Sequence, residues 1–129
     1  MMARRRSTPT DRDTLLERVR ALCLAQPGAI EKPSHGAPTW FTPGSRGRVF
    51  AMFDDHHHGA EHVSVHVAAT HEVQAHLIAE QPARYFVPPY VGGKGWVGVV
   101  IDVDPDWNTL AQLLHEAFAM VAQPRPRRR

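Results

Sequence analysis

Apolar residues recur along this chain first with a helical period and then with a strand period. Leu15, Leu16, Val19, Leu22 and Cys23 fall at i, i+1, i+4, i+7 and i+8, one stripe of a helix over residues 11–26. Asp11 is placed to cap that helix and Pro27-Gly28 to stop it. Residues 39–42 and 48–54 read as two strands of a hairpin, turning at Pro43-Gly44-Ser45-Arg46-Gly47. Residues 49–53 are apolar on both faces, which predicts a central strand. In the next strand Val63, Val65 and Val67 face one way, and His62, Ser64 and His66 the other. That alternation predicts one buried and one accessible sheet face.

Thr70 is placed to cap a short helix to about Ala79, with Val73, Leu77 and Ile78 turned inward. Tyr85-Phe86-Val87 is held extended by Pro88-Pro89, because a residue before proline avoids the helical region. The last strand is read at Trp96–Asp102, with Val97, Val99 and Ile101 on the core side. Asp104-Pro105-Asp106 opens a closing helix, the proline fitting its first turn. Leu110, Leu113, Leu114, Ala117, Phe118 and Val121 form its apolar face. The order predicts an α+β two-layer sandwich: an antiparallel sheet with the N- and C-terminal helices packed on one face.

The chain has 129 residues, enough for one core without staples, and the reading is a single domain over residues 11–122. Residues 1–10 and 123–129 read as basic, unstructured tails. Charge sharpens that division. Seven arginines, at positions 4–6, 125 and 127–129, lie in the tails; the remaining eight basic residues face 13 acids, so residues 7–124 carry −5. Basic tails suit nucleic acid or an anionic surface. No window approaches the roughly 18 unbroken apolar residues of a membrane span. The opening MMARRRSTPTDRD has no apolar core and does not read as a secretory signal. A lone Cys23 on an apolar stripe reads as a core thiol and fits a reducing, cytoplasmic setting. Arginine over lysine, 13 to 2, points to a high-GC bacterial genome.

Four blocks are read together: PGAIEKPSHGAPTWF, FAMFDDHHHG, YFVPPYVGGKGWVGV and DWNTLAQLLHEAF, the first and third, rich in Gly and Pro, being the most specific. Together, from about Asp11 to Ala122, they resemble the MmcQ/YjbR family of small bacterial proteins. The resemblance implies a CyaY-like (frataxin-like) fold and a DNA-binding role. It does not carry over frataxin's metal delivery, since the first helix offers only Asp11, Asp13 and Glu17 in place of an acidic ridge.

Two binding readings follow. In the first, DNA phosphates meet Arg125, Arg127, Arg128 and Arg129 of the tail, with Arg46, Arg48 and Arg84 from the fold. Lys94 beside Tyr90 and Trp96 adds a cation among aromatics, suited to a base or a phosphate. In the second, a protein or small ligand sits on the open sheet face at His62 and His66, or against His35 of the Gly/Pro-rich block. Gly93-Lys94-Gly95-Trp96-Val97-Gly98 has dinucleotide-fingerprint spacing but follows Pro-Pro and leads into a strand, so no cofactor is expected. Asp54-Asp55-His56-His57-His58 reads as a solvated loop tip rather than a metal site, because adjacent residues diverge. No GxSxG, Walker A or metal-hydrolase motif is present, and a non-enzymatic protein is the expectation.

Overall fold

The computed structural model describes residues 9–55 and 62–123. Three helices, α1 (Pro9–Leu24), α2 (His71–Glu80) and α3 (Trp107–Ala122), accompany six strands. The strands are β1 (Ile30–Ser34), β2 (Ala37–Phe41), β3 (Val49–Asp55), β4 (Val63–Val67), β5 (Tyr85–Phe86) and β6 (Val97–Val100). They form one antiparallel sheet in the order β1-β2-β3-β4-β6-β5. The expected α+β architecture is present, and β3 is central as its two apolar faces required.

Strand β1 was not legible as a strand, because Lys32-Pro33-Ser34 breaks the pattern. Proline cannot donate to a ladder and is confined to edges. β1 is an edge strand, and Pro33 lies opposite Pro38. Its turn into β2 is tight: His35 (φ 53°) and Gly36 (φ 79°) are both left-handed, the condition of a type I′ hairpin. Two caps differ from expectation. α1 begins at Pro9, so Asp11 lies in its first turn, where a carboxylate still favours the helix dipole. α3 begins at Trp107 and is capped by Asp106, which accepts the Thr109 N–H at 3.0 Å. Pro105 therefore stands outside the helix. Thr70 caps α2 as expected, but the buried residue of that helix is Gln74, with Leu77 and Ile78 only partly covered.

Helices α1 and α3 lie together across one face, against β3 and β4. Trp40, Phe50, Phe53, Val65, Val67, Val97, Leu110 and Leu114 are buried beneath them with Val19 and Cys23. Each such side chain contributes roughly 1.5–3 kcal/mol of transfer free energy. Phe50 and Phe118 meet edge to face at 5.3 Å. Burial pushes the Cys23 thiol far up, consistent with a core thiol.

One polar cluster pins α1 to the edge of the sheet. Arg20 donates from Nε and Nη2 to the two Glu31 oxygens at 2.7 and 2.8 Å, and Trp40 Nε1 donates to Glu31 Oε1 at 2.9 Å. The Arg20 hydrogen bond, with that from Trp40, holds the Glu31 carboxyl below its ordinary 4.5. A depressed pKa stabilises the fold above the unfolded value, and that stability disappears as pH falls through the folded value. Urea titration of Glu31→Gln at pH 7 is therefore expected to show a loss of about 1–3 kcal/mol. The difference between wild type and variant should start to shrink as pH falls below about 4.5, the ordinary value of the unfolded chain's carboxyl, and vanish once pH passes the lower value of the folded one.

Candidate functional site

The second face of the sheet carries the site. Strand register puts Lys32, Thr39, Met52, His66, Gly98 and Phe86 in one row, with Asp54, Ser64 and Val100 in the next. This face is not accessible at β4, contrary to the sequence expectation: Ser64 is 1% and His66 5% exposed. The cover comes from a distant segment. The Phe86 ring lies over Gly98, where an added Cβ would fall 2.3 Å from it, and meets His66 edge-on at 5.9 Å.

Residues 88–96 form a loop beside this row, with a single 3-10 turn at Gly92–Lys94. Helix α2 holds the loop in place. The buried Gln74 amide donates to Gly92 O at 2.9 Å and to Trp96 O at 2.6 Å. His71 Nε2 lies 2.9 Å from Gly93 O, and since a carbonyl only accepts, Nε2 donates. Gly95 is left-handed (φ 96°), and a Cβ there would stand 2.6 Å from His71 N, so glycine is required at this approach. The dinucleotide-like spacing therefore serves a turn and a strand, not a helix N-terminus.

Between this loop and the sheet lies a cavity of about 1010 Å3. Its polar lining comes from separate segments: His35 from the β1–β2 turn, Arg48 and Asp54 around β3, His66 from β4, and Tyr90 and Lys94 from the loop. Met52, Val49, Val91, Trp96 and Val121 supply apolar surface. Arg48 is fixed by donating from Nη2 to Val121 O. Among the described residues, two of the three non-glycine residues with positive φ, His35 at 53° and Tyr90 at 67°, line this cavity. Such backbone costs on the order of 1–3 kcal/mol and recurs at ligand clamps. Tyr90 is also 83% exposed.

Residues assigned above to rival readings thus meet in one place: Arg48, Tyr90 and Lys94 with His35 and His66. Others do not join them. Arg46 is exposed in the β2–β3 turn. Arg84 donates to Asp104 O at 2.6 Å and Gln81 Oε1 at 3.0 Å. His62 lines a smaller hollow of about 330 Å3, its Nδ1 3.0 Å from Asp102 Oδ1. Arg125, Arg127, Arg128 and Arg129, with His56, His57 and His58, lie outside the described residues. Among the described residues no three His, Cys, Asp or Glu converge as metal ligands, and no helix is long and apolar enough to cross a membrane. Gln74 was missed. Its signal was a lone amide beside Val73, three and four positions before Leu77 and Ile78, on the inward side of α2.

A family model described as YjbR matches residues 24–120. The chain belongs to the YjbR family. A crystal structure of the Deinococcus radiodurans protein DR2400, with the DUF419 domain, is similar in fold. The TM-score is 0.72 at 19% identity, covering 84% of this chain and 78% of that one. No curated protein matches the chain.

Gln74→Leu keeps volume but leaves the Gly92 and Trp96 carbonyls without their donor, at an expected cost of about 1–3 kcal/mol. Hydrogen exchange should quicken in residues 88–96 while α1 and α3 keep their protection. His35→Asn should act in the opposite direction, because Asn-Gly is preferred in a type I′ turn. A rise of about 1–2 °C in thermal midpoint is expected, a few tenths of a kcal/mol for a domain of this size. A fall would mean the imidazole stabilises the turn.

Proposed function

We propose that this YjbR-family chain is a binding module whose ligand site is the cavity between the 88–96 loop and the second sheet face. One observation carries the reading: four segments distant in sequence converge their polar side chains on a single cavity of about 1010 Å3. That volume is at the upper end for small-molecule sites, and an apolar lining with a few convergent polar groups is their usual composition. The strained backbone at His35 and Tyr90 supports the same reading, since both side chains face the cavity.

A second reading, DNA binding, is favoured by the seven terminal arginines. The folded part supports it less. Arg84 is engaged with Asp104 and Gln81, while Arg48 and Lys94 border the cavity.

Amide chemical-shift mapping of the full chain against a library of small acids, bases and neutral rings tests the first reading. Saturable shifts are expected at His35, His66 and Lys94; shifts confined to other surfaces, or none, would overturn it. Titration with a DNA duplex tests the second. Tail-mediated binding should weaken by about a thousandfold between about 50 and 200 mM salt. Replacing the four C-terminal arginines by glutamine should weaken it further, while Lys94→Gln should leave it unchanged.

A further inference from the structure

We infer that the ligand of the cavity is a small planar aromatic anion, a ring system bearing one carboxylate, sulfonate or phosphate group. This rests on the binding-module reading and names its ligand class. Charge comes first. Arg48 and Lys94 are the two basic side chains at the cavity, against one carboxylate, Asp54. The surrounding domain has the opposite sign, −5 over residues 7–124, so the excess of positive charge is local. Arg48 is suited to an oxyanion, because its contact with Val121 O fixes the guanidinium plane and leaves other N–H groups to donate. Lys94 ends the 3-10 turn and is exposed, with three donors on a flexible stem.

Ring shape is the second argument. Four π-systems line the cavity, those of His35, His66, Tyr90 and Trp96, with Met52 and Val91 as apolar surface. Flat faces of this kind favour a flat partner, by stacking or edge-to-face contact. Tyr90 is the clearest case. It is 83% exposed with its backbone at φ 67°, and it lines the cavity.

Anilinonaphthalenesulfonate and its neutral counterpart phenylnaphthylamine separate the two features, since they share the aromatic body and differ in the anionic group. Fluorescence titration of the full chain is expected to show the sulfonate bound about tenfold tighter, the scale of one charge-assisted hydrogen bond. Lys94→Gln should bring the two affinities within about threefold and, as an exposed substitution, leave the thermal midpoint in place. Tyr90→Asn, which tolerates the left-handed backbone, should weaken both probes by about the same factor. Equal or tighter binding of the neutral probe would sink the anion inference while leaving the binding module standing. A sulfonate preference that survives the loss of both cavity cations, in Arg48→Gln with Lys94→Gln, would also sink it, since neither would then be its source. Failure of both probes to bind, with no shifts at His35 or His66, would overturn inference and module together.

Discussion

The arrangement of the second sheet face depends on satisfying two backbone carbonyls, those of Gly92 and Trp96. A loop packed against protein loses water as a partner for these groups, and an unmet carbonyl there is costly. Gln74 supplies both donors from inside α2. The loop then stands where Tyr90, Lys94 and Trp96 reach the cavity that His66 and Met52 border from the sheet. A helix peripheral to the main core thus acts as the anchor for half of the site. The required glycine at position 95 belongs to the same device, since any side chain there would strike the first turn of α2.

The two faces of the sheet divide the work. Helices α1 and α3 cover one face with apolar contacts, and the Arg20–Glu31–Trp40 cluster fixes the angle at its edge. With that face supplying stability, the other can hold features that cost it: a histidine in a left-handed turn, an exposed tyrosine in another, and a carboxylate at Asp54 that is nearly buried. Cost concentrated on one side of a well-packed layer is expected of a site that evolution keeps for contact rather than for cohesion.

Much of the fold was legible because its signals are local. The stripe through Leu15 to Cys23, the alternation at Val63 to Val67, and the Thr70 cap each declare an element within a few residues. What was misread depends on distance. Pro33 hid β1, because edge position is a property of the whole sheet rather than of the pentapeptide. His62, Ser64 and His66 looked alike, yet Phe86 and Gly98, arriving from later segments, bury His66 and leave His62 beside Asp102. The candidate site residues were identifiable one by one, and were divided between two readings. Nothing in the spacing between His35, His66 and Lys94 indicates that three segments 28 to 31 residues apart converge.

Net charge illustrates the same limit in energetic form. A formal −5 over residues 7–124 argues against an anionic partner only at long range, where salt screens it. Several are engaged within the fold. Asp55 pairs with Arg12, Glu17 and Glu31 with Arg20, Asp102 with His62 and the Val63 N–H, and Asp106 with the start of α3. The arginine partners are already counted in the −5, so pairing neutralises these acids locally without changing the sum, and salt screens that sum within about 8–10 Å. Inside a cavity the balance is different. Charges at a few ångströms outweigh those farther off, because Coulomb energy falls with distance. The sign that a ligand meets is then set by Arg48, Lys94 and Asp54, not by the sum over the chain.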